Sequence, residues 1–459
     1  MSVSEEFSVD GRRVTVVGAA RSGIAAAELA AGRGGLVTLT DVREGLADAD
    51  RARLAAAGVH LELGGHHVAT FTGADLVVTS PGVPSELPEL DAARAAGIAV
   101  IGEVELAFRW LRGRVIAVTG TKGKSTTTTL IGEVLKKSGR AVTVGGNIGA
   151  PLSAQVGVST PDTLHVVEVS SFQLEQVDRF RPWIAVMLNF SPDHLDRHGT
   201  VDVYARAKAR VFENQTADDW AVVNADDGGA TTLASDTRAT RRLFSRRGDI
   251  PAGIVVEGEW IVRRAAERTD RLIPLSNVHL LGPHLVDDVL AAAAVGTIVG
   301  AAPADMAAAV DAFTGLEHAM ELVATVDGVR FVNDSKATNV ESAVRSIESF
   351  DRGVVAIVGG RYKGGDLRLL RQPLARRGRA VVAIGEARDM VGEALAGVVP
   401  VEQADSMRQA VVRALALAEP RGVVVLAPAC ASFDMFRDYA ERGRSFKDAV
   451  MEIARMRER

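Results

Sequence analysis

The sequence predicts an α/β protein built from three tandem α/β domains. Three observations carry this. Apolar, β-branched runs alternate with segments of helical apolar spacing along most of the chain. Two of those runs pass directly through a glycine turn into a helix. The length, 459 residues, exceeds what one hydrophobic core serves and corresponds to about three ordinary domains. The boundaries fall at 1–112, 113–314 and 315–459.

The first domain opens with a strand over 14–18, a turn of Gly18, Ala19, Ala20, Arg21, Ser22 and Gly23, a helix over 24–31, and a strand over 36–41 that ends in Asp41. This approaches the dinucleotide fingerprint, G-x-G-x-x-G with an acid further on for a ribose. Ala20 replaces the middle glycine, the one that lets a pyrophosphate approach most closely. Two readings stay open, a phosphate-binding turn and a tight βα turn of a Rossmann-like sheet. A strand over 75–80 runs into Pro81-Gly82-Val83-Pro84, a loop at a strand exit, where α/β ligands collect. Residues 103–112 read as a short helix leading out.

The second domain starts with an apolar strand over 115–118 followed by Gly120-Thr121-Lys122-Gly123-Lys124-Ser125-Thr126 and a helix. Strand, glycine turn and helix start bring backbone N–H groups and a helix dipole onto phosphate. Lys124 would reach the terminal phosphates of a nucleotide, and the Ser125 hydroxyl would sit on Mg²⁺. The first glycine of G-x-x-x-x-G-K-[ST] is absent, Val118 standing in its place. Strands over 164–170, 184–190 and 220–227 follow, then a helix over 285–299; residues 235–275 have no clear period. The third domain restarts near Gly315, with strands over 328–333, 354–358, 381–384 and 423–426. The central sheet is mostly parallel and P-loop-like, and the outer two domains are Rossmann-like.

Composition excludes some functions. A net charge of −5 is not that of a nucleic-acid coat. The single cysteine, Cys430, permits no internal disulfide and no four-cysteine metal site, and suits a reducing compartment. No stretch approaches the ~18 apolar residues that span a bilayer, and residues 1–6 lack an apolar leader core. A cytoplasmic monomer without membrane or nucleic-acid partners is expected.

Several side chains at strand exits can do chemistry. Glu168 can bind the Mg²⁺ that Ser125 begins to coordinate. His194 lies in a Pro-Asp-His-Leu-Asp loop; alone, such a histidine is more often a hydrogen-bonded loop residue than a ligand. Lys208 shares a helix face with Tyr204 and by itself reads as a solvated lysine. Asp334, Lys336 and Lys363 add charges in third-domain loops, where lysines suit phosphate or carboxylate. Each follows an apolar strand, so the set can face one cleft.

Six segments carry a family resemblance: 120–126, Gly145-Gly-Asn-Ile-Gly149, Glu168-Val-Ser-Ser-Phe-Gln-Leu-Glu175, Asp193-His-Leu-Asp196, Asn333-Asp-Ser-Lys-Ala-Thr-Asn339 and Pro428-Ala-Cys-Ala-Ser-Phe-Asp434. With them the chain resembles, nearly end to end, the Mur ligases of peptidoglycan synthesis, and within these the D-glutamate-adding branch. The resemblance implies ATP-driven amide formation. The γ-phosphoryl group would pass to the carboxylate of UDP-N-acetylmuramoyl-L-alanine, and the amine of D-glutamate would displace phosphate.

By the same resemblance Lys124 holds the β- and γ-phosphates within the 120–126 loop, and Ser125 with Glu168 holds a first Mg²⁺. His194 and Lys208 hold a second, Lys208 as a carbamate because an ammonium repels the metal. Asn147 touches the muramoyl substrate, and the 18–22 turn, Asp41, Arg43, Ser80 and Gly82 hold its uridine diphosphate. Asp334 and Lys336 meet ATP; Thr338, Lys363, Ser432 and Tyr439 bind D-glutamate, Tyr439 standing where phenylalanine is common. Two departures touch the adenine side. His284 is followed by Leu285 and Asp288 where the family has asparagines, and Ala319 replaces an arginine.

A nicotinamide-dependent oxidoreductase fits the first glycine turn but fails on Ala20 and leaves the second loop idle. A different Mur-type or folate polyglutamate ligase lacks the 333–339 run, and a non-catalytic nucleotide-binding regulator has no use for the Lys124, Glu168, His194 and Lys208 set.

Overall fold

The computed structural model describes residues 7–266, 268–279 and 283–457. Expectations placed on residues 1–6 and on the side chain of His284 lie outside it. Within the described residues the strands form three sheets of five, nine and six. The chain divides into two compact units, Met1–Val278 with Val286–Ala312, and His279–Leu285 with Phe313–Arg459.

The first sheet holds β1 (Arg13–Val17), β2 (Leu36–Asp41), β3 (His60–Leu63), β4 (Leu76–Thr79) and β5 (Val100–Gly102), all parallel, in the order β3-β2-β1-β4-β5. Val16, Val17, Leu39, Val77 and Val78 are fully buried, as expected of a parallel sheet covered on both faces. The strand order reverses between β1 and β4, and the crevice outside their carboxyl ends is the place for a ligand. The helix Arg21–Ala31 begins three residues before the predicted start, the Ala20 carbonyl accepting the Ile24 N–H at 2.9 Å.

The helix Glu103–Phe108 stops short of the predicted residue 112, because the N–H groups of Trp110 and Leu111 both turn back to Ala107. Its Glu105 is fully buried. The carboxylate accepts the backbone N–H groups of Asp178, Arg179 and Phe180 at 2.9–3.0 Å and pairs with Arg109 at 2.7 Å. One side chain thus fastens the exit of the first sheet to the body of the second.

The second sheet holds β6 (Arg114–Thr119), β7 (Val142–Gly146), β8 (Leu164–Glu168), β9 (Ile184–Met187), β10 (Trp220–Asn224), β11 (Thr240–Ser245), β12 (Gly253–Glu257), β13 (Trp260–Ala265) and β14 (Arg268–Pro274). Its order is β14-β13-β12-β11-β10-β9-β6-β8-β7, parallel from β7 to β12 and antiparallel beyond. Residues 235–275, without clear period in the sequence, supply four of these strands. Their alternation is masked by arginines that cover aromatic rings, Arg242 over Trp220 and Arg271 over Trp260.

The third sheet holds β15 (Glu321–Val326), β16 (Val329–Asn333), β17 (Val354–Gly359), β18 (Gly378–Ile384), β19 (Val401–Ala404) and β20 (Val423–Leu426). The order is β15-β16-β20-β17-β18-β19, parallel except for the β15–β16 hairpin. β15 and β19, absent from the sequence reading, are the two edges, where a strand is half exposed and needs no apolar run.

The helix that follows the phosphate loop, Lys124–Lys137, packs against the helix Pro283–Val299 through a polar contact. Thr127 Oγ1 donates to Asp288 Oδ1 at 2.8 Å. Gly123, at φ +81°, lies over the same carboxyl, and a Cβ there would come within 2.5 Å of Asp288 Oδ1. Burial pushes the Asp288 carboxyl up to about 8.

Two outcomes are expected. Glu105→Ala removes the acceptor of three backbone N–H groups, that of Phe180 buried, and one of the two carboxylates that hold Arg109, and lowers stability by roughly 2–4 kcal/mol in urea unfolding. For Asp288 the folded chain keeps a proton that the unfolded chain releases near 3.8. Stability therefore falls as pH rises through the interval up to about 8, by at most about 1.4 kcal/mol per unit. Asp288→Asn should match the parent near pH 4 and exceed it by roughly 1–3 kcal/mol at pH 8, read from urea midpoints.

Candidate active site

The phosphate loop leaves the end of β6 and is held from the neighbouring strand exit. Asn189, just after β9, accepts the N–H groups of Thr121 and Lys122 at 3.1 and 2.9 Å through its side-chain oxygen, and its amide donates to Lys122 O. Lys122 is exposed, and Thr126 sits half-buried in the first helical turn. Two lysines converge on one carbonyl: Lys124 Nζ donates to Gly120 O at 3.1 Å and to Thr121 O at 3.0 Å, and Lys208 Nζ donates to Gly120 O at 2.7 Å.

β8 pairs with β6 on one side and β7 on the other, with Glu168 level with both Val118 and Gly146. The carboxylate of Glu168 is buried at that point. Its Oε2 accepts from Ser125 Oγ at 2.7 Å and its Oε1 from Asn147 Nδ2 at 2.8 Å. A phosphate-loop hydroxyl, a carboxylate and an amide are thus assembled by strand register.

Lys208, which by itself reads in the sequence as a solvated lysine, is 2 % exposed on the helix Val201–Ala209. Burial, with the Lys124 charge adding to it, pulls its ammonium down to about 7. Tyr204 lies one turn before it, and its hydroxyl is 3.1 Å from Thr121 Oγ1, which in turn donates to Ser191 O. His194 is half exposed, left-handed at φ +52°, with its ring 5.1 Å from that of Phe172. Among the described residues no three His, Cys, Asp or Glu side chains gather into a ready-made metal site.

A cavity of about 620 Å³ opens at the crevice of the first sheet. Gly18, Ala20, Arg21 and Ser22 line it from the first turn, Asp41 and Arg43 from the end of β2. Ser80 and Gly82 line it from the β4 exit, and Asn147 from the second sheet. Ala19 stands behind it, its N–H donating to Asp41 Oδ2 at 2.6 Å. Bonds from the Arg43 guanidinium and from the Arg43 and Ala19 N–H groups hold the Asp41 carboxyl at about 2. Asp41 therefore also shapes the turn. Arg21 donates to Gly149 O at 3.2 Å, closing the cavity toward the second sheet.

In the other unit three loops leave the carboxyl ends of β16, β17 and β20 and are tied together. Ala429 N–H donates to Ala337 O at 3.0 Å, and Arg361 and Ala431 exchange a pair of bonds at 2.9 Å. These loops carry Lys336, Thr338, Lys363 and Ser432; Lys336 and Lys363 are exposed, Ser432 is buried. Tyr439, 42 % exposed, accepts through its carbonyl from Ser335 Oγ at 2.7 Å. Asp334 accepts from Ser346 Oγ and from Met320 N–H, and burial pushes its carboxyl above the usual range.

Beneath the loops lies a residue the sequence reading passed over. Arg442 is 1 % exposed and donates to Ser335 Oγ, Ser335 O and Cys430 O at 2.9–3.0 Å. Its position in the polar run 437–444 gave no sign of burial. Asn189 is equally hidden, as one polar residue inside the run 184–190 that reads as a strand; the strand itself ends at Met187.

Three family models match the chain: Mur ligase MurD-like, N-terminal domain over residues 12–102, Mur ligase middle domain over 118–296, and Mur ligase, glutamate ligase domain over 319–430. The UDP-N-acetylmuramoylalanine–D-glutamate ligase of Acidobacterium capsulatum is 46% identical over 450 residues, covering 97% of each chain. That of Koribacter versatilis is 43% identical, over 98% of this chain and 99% of its own. In fold the chain is similar to the UDP-N-acetylmuramate–alanine ligase MurC of Thermotoga maritima, at a TM-score of 0.57 and 18% identity over 96% of this chain and all of that one. A pseudomurein peptide ligase type C from Methanothermus fervidus gives 0.56 and 16% over the same shares. Matches of this identity and extent, on a site with this phosphate loop, establish that the chain belongs to the Mur ligase family.

Proposed function

We propose that this chain is an ATP-dependent ligase that joins D-glutamate to UDP-N-acetylmuramoyl-L-alanine. The observation that carries the reading is the meeting of Ser125, Asn147 and Glu168 beside the carbonyl shared by Lys124 and Lys208. Full-length relatives bearing that ligase name support the choice of substrates.

Phosphoryl transfer from ATP to a carboxylate brings two anions together, so positioning and positive charge matter more than covalent chemistry. Lys124 is the cation for the β- and γ-phosphates. Ser125 and Glu168 would hold one Mg²⁺, and His194 with a modified Lys208 would hold a second; magnesium takes few protein ligands. When bound, the metal neutralises charge on the transferred group. The muramoyl nucleotide fills the first-sheet cavity, with the 18–22 turn and Arg43 on its diphosphate and Asn147 near the muramoyl end. Its carboxylate takes the γ-phosphoryl group as ADP leaves. The D-glutamate amine then attacks the acyl carbon, loses a proton and expels phosphate. Asp334 and Lys336 serve ATP, and Thr338, Lys363, Ser432 and Tyr439 serve D-glutamate.

The burial of Lys208 supports its carbamylation. Only the neutral amine attacks CO₂, giving a carbamate with loss of one proton, and an amine with a pKa of about 7 is substantially neutral at physiological pH. A cytoplasmic, monomeric enzyme completes the reading.

Phosphate release should require the muramoyl nucleotide and ATP and should respond to D-glutamate alone among a panel of amino acids; release with another amino acid, or with none, overturns the assignment. Lys208→Ala should lose activity by about 10²-fold or more and regain part of it with added short-chain carboxylate. Absence of any rescue counts against the carbamate.

A further inference from the structure

Arg197 has no part in the reading above, yet it spans two places that matter to it. Its Nη1 donates to Pro81 O at 2.9 Å and its Nη2 to Val83 O at 2.6 Å. Both carbonyls belong to the β4-exit loop, which lines the first-sheet cavity. The guanidinium lies 4.0 Å from the centre of the Phe172 ring. Phe172 also meets the rings of His194 and His198, at 5.1 and 5.0 Å.

The segment carrying Arg197 is the one-turn helix Leu195–His198, with left-handed His194 as its first cap. So short a helix has almost no intrinsic stability, and its side chains must fix it. His198 does so toward the second sheet. Its Nδ1 is 2.9 Å from Glu175 Oε1, its Nε2 is 3.0 Å from Ser171 Oγ, and its ring touches Tyr204 at 5.1 Å. Tyr204 reaches the phosphate loop at Thr121. Arg197 does so toward the first sheet. A planar guanidinium with two parallel donors fits two carbonyls of one loop only when loop and helix hold one relative position. A shift of the cavity rim therefore releases the fork, and a fixed rim fixes the helix that caps at His194.

We propose that Arg197 is a positioning residue that couples the first-sheet cavity to the phosphate-loop site, so that a uridine nucleotide in the cavity and Mg²⁺-nucleotide at the phosphate loop strengthen each other's binding. This rests on the ligand assignments of the proposed function. The coupling is reciprocal, since it is a free energy shared between two sites.

The test uses the full chain and isothermal titration of Mg²⁺ with a non-hydrolysable ATP analogue, with and without saturating UDP-N-acetylmuramoyl-L-alanine. The parent should bind the analogue at least about 5-fold more tightly with the cavity filled, and the reverse titration should give the same factor. In Arg197→Gln each ligand alone should bind within about 3-fold of the parent while the factor falls to near one. Arg197→Lys, which keeps the cation over Phe172 but cannot fork, should lose most of the factor and serves if the glutamine variant does not fold. A residue of merely structural importance would lower the urea midpoint and both affinities and leave their ratio intact; that result overturns the proposal, as does a parent factor of one. Either can occur in an enzyme that still turns over with D-glutamate, which separates failure here from failure of the ligase reading.

Discussion

The pairing of β8 between β6 and β7 is the constraint on which the site depends. Glu168 is level with the last apolar residues of β6 and with Gly146 at the end of β7. A carboxylate so placed reaches Ser125 on one side and Asn147 on the other without a long side chain having to be ordered. A slip of one residue would turn Glu168 to the opposite face of the sheet. Val166, Val167, Ala117 and Val118 are all fully buried, so both faces of these strands are apolar and it is the carboxylate with its two partners that distinguishes one register from the next.

Electrostatics around the phosphate loop follow the same economy. Lys124 and Lys208 share an acceptor, and the Lys124 charge beside it helps drive Lys208 toward the neutral amine, so Lys124 is the cation that an incoming anion meets. Asp288, beneath Gly123, would cancel that field if it were ionised. Its burial keeps it protonated through neutral pH, and the carboxyl acts there as a shaped hydrogen-bond acceptor for Thr127 rather than as a charge. A protonated carboxyl at this position thus keeps the ground under the loop neutral.

Much of this was legible in the residues. The strand–glycine–helix passage at 115–130 announced the phosphate loop because its chemistry is local, and Glu168 was marked as a strand-end acid. What stayed hidden depends on neighbours far along the chain. Lys208 looks like any helical lysine until Tyr204, Gly120 and the second sheet bury it. Arg442 and Glu105 are charged residues in polar or amphipathic surroundings, and their burial comes from loops 12 to about 107 residues away. The strands of 240–274 escaped because arginines laid over tryptophans look polar in sequence and apolar in space. β15 and β19 escaped because edge strands need no continuous apolar run.

The chain's one thiol has a further consequence. Cys430 is fully buried, its carbonyl is engaged by Arg442, and burial pushes its thiol up to about 11. At physiological pH only about one molecule in several thousand would carry a thiolate, the form that peroxides and electrophiles attack. Alkylating agents aimed at sulfur should therefore label the folded chain far more slowly than they label an accessible thiol.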